Sequence, residues 1–242
     1  MHIVTWNNHH AFKTKRTSEA LGWLDDGLRA DVGLLQEAAP PVSGEFIYEQ
    51  VESPGANAWG TAVRSVGVPL EPVPLAKGSV RGGAVAAEAA SEAGPVTFIS
   101  VYGVLEHFLG TDWSIPNLHR IVSDLTPLLA DPKRKGRIII GGDLNADVAF
   151  DTERIGGLDS HSRFFDRIEA FGLKSVLPNR DASDQPPTWR RGNAGGRNDH
   201  LFVSEGLECS GADIVWDEDG LSDHAAIVVD VELPKLNPEI GG

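Results

Sequence analysis

Apolar residues in this chain follow two rhythms. Runs such as "HIVTWN", "VGLLQEA", "PVTFISVYG", "RIIIGGD", "DHLFVSE", "CSGADIVW" and "AAIVVDVEL" have strand length, and most are rich in β-branched residues, so they predict strands. Other stretches repeat at three and four. "TSEALGWLDDGLRA" spaces Leu21, Leu24 and Leu28 along one helical face, offers Thr17 or Ser18 as a cap, and predicts a strand, helix, strand opening. "PNLHRIVSDLTPLLADP" places Leu118, Ile121, Val122, Leu125, Leu128 and Leu129 on one stripe, with Pro127 expected to bend or interrupt its last part. "SRFFDRIEAFG" predicts a shorter helix with Phe164, Ile168 and Phe171 as its stripe, stopped by Gly172. "EFIYEQV", "GTAVRS" and "GGAVAAEAA", punctuated by Gly and Pro, predict an antiparallel meander, and "LPNRDASDQPPTWRRGNAGGRN" a long loop. The pattern as a whole predicts an α/β fold: two packed sheets, mixed or mostly antiparallel, with helices on their outer faces, in a single domain over residues 1–242.

The polar residues at the strand ends change this picture. "HIVTWN" ends on Asn7, "VGLLQE" on Glu37 and "IIIGGDLN" on Asp143 and Asn145, whereas "NDHLFVS" begins at Asp199 and "SDHAAIVVD" follows Asp223 and His224. The end of an up-running strand and the start of a down-running one share a rim. These groups are therefore expected in one pocket, with His224 as its one imidazole. Asp143 and Asn145, two apart, are expected on one face by strand alternation, with Gly141 and Gly142 letting backbone and ligand approach closely. Four crowded carboxylates raise one another's pKa unless a cation neutralises them, and oxygen ligands suit Mg²⁺ or Mn²⁺. Such a site fits metal-assisted phosphoester hydrolysis.

Composition narrows the options further. The 41% hydrophobic and 23% charged residues are those of a globular protein. No apolar run has the roughly 18 residues of a membrane span, and the first residues lack the features of a secretory signal, so a cytoplasmic location is expected. The single cysteine, Cys209, excludes an intrachain disulfide. A formal charge of −14 weighs against a non-specific nucleic-acid coat protein but not against an enzyme with a metal and a local basic loop. "WRRGNAGGR", with Trp189, Arg190, Arg191 and Arg197, is that loop: it is suited to a nucleic-acid backbone with a stacked base, or to a compact phosphate headgroup.

"TWNN", "LLQEA", "VYGV", "GGDLNA", "TW" followed by "RNDHLFVS", and "LSDHAAIVVDV" occur in the order and approximate spacing of the endonuclease/exonuclease/phosphatase superfamily, which this sequence resembles over nearly its whole length. The resemblance implies a four-layer α/β sandwich. It implies Glu37 as principal metal ligand, with Asn7 beside the metal and Asp223 on the metal side. It implies Asp143 as the group that orients or deprotonates water, Asn145 and His224 as phosphate contacts, Asp199 as the partner of His224, and Tyr102 against the phosphate. Gly103, Val104 and Leu105 depart from the Pro-Asn that nuclease members often place after that tyrosine, and His107 is the expected substitute. Asn8 and His9 stand where apurinic enzymes carry an acid.

The expected activity is a phosphodiesterase acting on DNA or RNA. A phosphatase or phosphodiesterase for a small phosphorylated metabolite or lipid headgroup is the alternative, and a catalytically silent binding module the remoter one. Retention of Glu37, Asp143, Asn145, Asp199 and His224 together argues against the silent module.

Overall fold

The computed structural model describes residues 1–10, 14–41, 46–51, 57–75, 80–108, 111–153, 159–177 and 186–236. Its strands are β1 (His2–Asn7), β2 (Val32–Ala38), β3 (Phe46–Gln50), β4 (Gly60–Ser65), β5 (Glu71–Val73), β6 (Ala84–Ala89), β7 (Val96–Val101), β8 (Glu106–Phe108), β9 (Thr111–Trp113), β10 (Ile138–Asp143), β11 (Leu173–Ser175), β12 (Trp189–Arg191), β13 (Ala194–Gly196), β14 (Asp199–Ser204), β15 (Glu208–Val215) and β16 (Ala226–Glu232). The α-helices are α1 (Thr17–Gly22), α2 (Ile115–Leu129), α3 (Phe150–Glu153) and α4 (Ser160–Glu169). Two six-stranded sheets form, in the orders β15-β16-β1-β2-β4-β3 and β11-β14-β10-β7-β6-β5. Among the described residues, only the β1/β2 and β10/β7 pairings within them are parallel.

Period-2 alternation explains the four layers. In β1, Ile3 faces the other sheet while Val4 and Trp6 face the helical side with Leu24 and Leu28. In β10, Ile139 packs between the sheets and Ile138 and Ile140 pack against Leu118, Leu125 and Phe164 of α2 and α4. The α/β sandwich is therefore as expected.

Four local expectations are corrected. "GGAVAAEAA" does not continue the meander: β3 and β4 pair in the first sheet, but β6 pairs with β7 and β5 in the second, because Val85 and Ala87 complete the apolar layer between the sheets. Neither Thr17 nor Ser18 caps α1, which begins at Thr17 and runs into a π-helical turn at Trp23–Gly27; the Thr17 hydroxyl lies 2.6 Å from His10 Nδ1 instead. Pro127 does not interrupt α2, whose apolar stripe stays buried through Leu129. The expected loop contains the β12/β13 hairpin, closed at Gly192 with φ +61°; residues 178–185 of that loop lie outside the described residues.

The two glycines of "IIIGGD" allow the close backbone approach expected of them. A Cβ at Gly142 would stand 1.7 Å from the Val101 carbonyl oxygen, and one at Gly141 would stand 2.8 Å from Leu201 Cδ1. They admit neighbouring strands and core side chains. Gly103 serves the same end from the other side: a Cβ there would stand 2.0 Å from Leu144 O, and its N–H donates to Asp143 O at 2.7 Å.

Candidate active site

The inward alternation of each strand reaches the same rim. Ile3, Thr5 and Asn7 share one parity, as do Ile139, Gly141 and Asp143, and, reading back along β14, Val203, Leu201 and Asp199. Asp143 and Asp199 are register partners. Glu37 reaches the rim by a different route. Leu35 and Ala38 both pack on the helical side, the β2/β4 register shifts between them, and Glu37 has φ +46°. This bulge turns Glu37 toward the cavity where plain alternation would have turned it away.

Under the rim, Gln36 and Ser100 join the two sheets. Gln36 Nε2 donates to Ser100 Oγ at 2.9 Å, and Ser100 Oγ donates to Leu35 O at 3.0 Å. The "SDH" segment is anchored to β1: Ser222 Oγ donates to Asn7 O at 2.8 Å, His224 N donates to Ser222 Oγ at 3.0 Å, and Trp6 Nε1 donates to His224 O at 3.1 Å.

These anchors bring the acids, amides and imidazole together around a cavity of about 620 Å³. Asn7 Nδ2 donates to Asp143 Oδ2 at 2.9 Å and to Glu37 Oε1 at 3.3 Å. His224 Nδ1 lies 2.8 Å from Asp199 Oδ2, and His224 Nε2 lies 3.8 Å from Asp143 Oδ2. Tyr102 OH donates to Glu37 Oε1 at 3.4 Å, and its ring meets Trp59 edge-on at 5.1 Å. Asn145 is not held by strand alternation, since β10 ends at Asp143. It has φ +48°, its N–H donates to Asp143 Oδ1 at 3.0 Å, and its Nδ2 donates to Gly103 O at 3.2 Å. The turn that could have been a mere linker orients both residues.

Three expected substrate contacts lie off the cavity wall. His107 is exposed on β8, and Leu105 lines the cavity instead. The Arg190 guanidinium stacks over Trp216 at 4.4 Å. Arg197 is buried beside the "ADV" turn, its N–H donating to Asp147 Oδ2 at 3.3 Å. Trp189 and Arg191 do line the cavity, and Trp189 Nε1 donates to Asp223 Oδ2 at 3.2 Å. His224 is not the one imidazole: His9 also lines the wall, with φ +55° and Nδ1 2.8 Å from Asp223 Oδ1. Asn198 and Phe150 join it. The polar run "NNHH" after the first strand is the available signal for His9; Phe150 leaves none.

The electrostatics show a site built around charge. Burial pushes the Asp143 carboxyl up to about 7, against the opposing pull of His224. Burial likewise raises Glu37, while its Asn7 hydrogen bond works the other way. For His224 burial alone would favour the neutral ring, but the charges of Asp199 and Asp143 outweigh it and raise the imidazole to about 10. Burial works against ionisation of Asp223 too, and the His9 hydrogen bond together with the charges of His224 and His9 hold it low. Burial pushes the Tyr102 phenol up, reinforced by Glu37 and Asp143.

Within this set a hard cation fits. Glu37 Oε2 is shielded from water and has no hydrogen-bond partner among the described residues, and Glu37 lies on the cavity side with Asp143 and Asp223. Asp143, Asp199 and His224 also place ligand atoms within 4.8 Å of one another. In that trio Asp199 lies behind the wall, with Oδ2 2.8 Å from His224 Nδ1.

The raised His224 gives a pH prediction for the metal-free protein. Its folded-state pKa of about 10 exceeds the ordinary 6.5, so its contribution to stability is complete below 6.5 and is lost as pH rises through 10. Asp199→Asn is expected to destabilise the chelator-treated protein at pH 8, with the gap from wild type narrowing toward pH 10, above the Asp143 range. Denaturant unfolding checks this, and a gap independent of pH would contradict a charged His224.

The profile of the Endonuclease/Exonuclease/phosphatase family matches residues 4–224. No curated protein matches the chain in sequence. Among solved structures, the endonuclease domain of TRAS1, a telomere-specific non-LTR retrotransposon, aligns at TM-score 0.66 with 20% identity, covering 97% of this chain and 99% of that one. The 3'-5' exonuclease NExo from Neisseria meningitidis aligns at 0.68 with 20% identity, covering 96% and 100%. The Neisseria 3' phosphatase NExo bound to a product DNA hairpin aligns at 0.68 with 19% identity, covering 96% and 100%. At these identities the structures establish the fold, and the profile, spanning nearly the whole chain, establishes that this protein belongs to the endonuclease/exonuclease/phosphatase family of metal-dependent phosphoester hydrolases.

Proposed function

We propose that this chain is a phosphodiesterase that cleaves a nucleic-acid backbone by attack of water, with Mg²⁺ or Mn²⁺ as its cation. The observation that carries the reading is the single polar network at the rim, in which Asn7 bridges Asp143 and Glu37 while the His224–Asp199 pair stands 3.8 Å from Asp143. Glu37, Asn7 and Asp223 would hold the cation. Once bound, it supplies Lewis-acid polarisation of the phosphoryl oxygens and offsets charge built up in the displacement.

The chain's own groups do the rest. Asp143, whose two oxygens accept N–H bonds from Asn7 and Asn145, is fixed to orient water and take its proton. Asn145 presents an amide to the scissile phosphate. His224 keeps its proton, aims Nε2 at the cavity and stabilises negative charge on oxygen, while Asp199 fixes its tautomer. Tyr102, whose hydroxyl donates to Glu37 Oε1, would lie against the phosphate. Trp189 and Arg191 offer a stacking face and a cation to the strand that enters. His107, Arg190 and Arg197, placed off the wall, have no part in this scheme.

The DNA-bound Neisseria relative supports a polynucleotide substrate. The formal charge of −14 supports the alternative, a small phosphorylated molecule. Abasic duplex DNA, single-stranded DNA, RNA, inositol phosphates and sphingomyelin given to one preparation separate the two. Cleavage of a polynucleotide is the expected result, and cleavage of the last two alone would reject it.

A further inference from the structure

The ladder between β10 and β14 ends at the register pair Asp143 and Asp199, yet the two segments stay paired beyond it. Leu144 N donates to Asn198 O at 2.8 Å, Arg197 N donates to Asp147 Oδ2 at 3.3 Å, and Asn198 Nδ2 donates to Asn145 Oδ1 at 3.5 Å. One side of this extension is the turn that carries Asn145. The other side carries Gly196 and Asn198, and all three residues line the catalytic cavity. Leu144 and Ala146 of the turn pack in the core under the helices, so Asn145 alone among them faces the cavity.

Along β14, Leu201 and Val203 pack between the sheets, and His200 and Phe202 face the helices. His200 is 2% exposed, with its ring 4.7 Å from that of Phe165 on α4 and stacked on that of Phe202 at 6.0 Å. Another aromatic residue would meet these packing needs. What it would lack is Nε2, which lies 2.8 Å from Ala146 O and 3.0 Å from Arg197 O. Carbonyl oxygens only accept, so Nε2 carries the proton and donates to both. The two carbonyls come from opposite sides of the extended ladder and cannot bond each other. One N–H between them closes the pairing that the backbone leaves open, and without it both buried carbonyls lose the donor they share.

We propose that His200 is a positioning residue for the phosphoester reaction: its shared hydrogen bond clamps the Asn145 turn to residues 196–198 and so sets the place of the Asn145 amide. The inference rests on the reading of Asn145 as a phosphate contact. His200 does not line the cavity and acts only through the turn. A misplacement of about 1 Å at a positioned group is enough to cost on the order of 10²-fold in rate.

Two readouts on the full-length chain test this. His200→Phe keeps the aromatic packing and removes the donor. In the metal-free protein it is expected to quicken amide hydrogen exchange at Leu144 and Asn145 about tenfold, the effect of one neutral hydrogen bond, while Ile140 inside the strand keeps its wild-type rate. His200→Gln, whose amide nitrogen can take the place of Nε2, should exchange as the wild type does. At saturating Mg²⁺ or Mn²⁺, His200→Phe should hydrolyse bis(4-nitrophenyl) phosphate about tenfold more slowly or worse, and His200→Gln should recover most of that loss. In an Asn145→Ala background, His200→Phe should cost less than about twofold more, because the two residues act in series. His200→Leu serves if the phenylalanine variant does not fold.

Unchanged exchange at Leu144 and Asn145, a quickening shared equally by Ile140, a glutamine variant no better than the phenylalanine one, or a full His200 effect on top of Asn145→Ala would each overturn the proposal. A wild-type rate in Asn145→Ala alone would remove the phosphate contact and this role of His200 with it, whereas failure in the exchange arm would leave that contact standing.

Discussion

Asp143→Asn is expected to lower turnover of a phosphodiester substrate about 10²- to 10⁴-fold, the usual worth of a positioned general base, while apparent metal affinity stays close to wild type. The effect has two sources. An amide cannot take the proton from water. It also cannot satisfy its surroundings, because the two oxygens of Asp143 accept N–H donors from Asn145 at 3.0 Å and Asn7 at 2.9 Å. The NH₂ group of asparagine must face one of these donors, which disturbs the bridge to Glu37. Single-turnover rates at saturating metal check the prediction. A rate within a few-fold of wild type would remove Asp143 from the proton-transfer role.

Glu37→Gln is expected to raise the metal concentration needed for half-maximal activity at least about tenfold, given that even the outer partners of metal ligands cost 10- to 100-fold in affinity or activity. Excess metal should restore part of the rate. The reasoning rests on Glu37 Oε2, buried without a partner among the described residues, on a side chain whose charged form burial disfavours. Gln keeps the acceptor that Asn7 and Tyr102 use but removes the negative charge. Activity measured as a function of Mg²⁺ or Mn²⁺ separates the possibilities. A metal-independent loss of rate would mean that Glu37 serves another purpose.

The parts of the site that strand alternation places are legible in the sequence. Asn7, Asp143 and Asp199 extend the inward parity of their strands, so an apolar pattern with a polar end is enough to predict that they meet. Glu37 is visible at its strand end, but its direction depends on a bulge and a left-handed backbone that no periodicity announces. Alternation puts Asn145 on the strand with Asp143, yet it belongs to a turn, because the Asp143 side chain itself captures the Asn145 N–H. The paired glycines before them suggest a close approach of backbone and ligand. Their missing side chains make room for Val101 O and the Leu201 side chain, and which neighbours approach is visible only once the strands are paired.

Further from the strands the signal weakens. In sequence, Arg190, Arg191 and Trp189 look equivalent as one basic aromatic loop. The hairpin separates them by face, so that Arg191 reaches the cavity and Arg190 stacks on Trp216. Its turn residues, Gly192 and Asn193, are a hairpin signal that the surrounding Gly and Pro content obscures. His9 stands out as a departure from the family pattern, but its pairing with Asp223 needs two segments more than 200 residues apart to meet.

Hydrolysis of bis(4-nitrophenyl) phosphate by the purified chain, before and after removal of metal by chelator, tests the central claim most directly. The predicted result is turnover that chelation abolishes and that Mg²⁺ or Mn²⁺ restores, with Glu37→Gln shifted to higher metal and Asp143→Asn slow at every concentration. Turnover unchanged by chelation, or no turnover with any divalent cation, would contradict it.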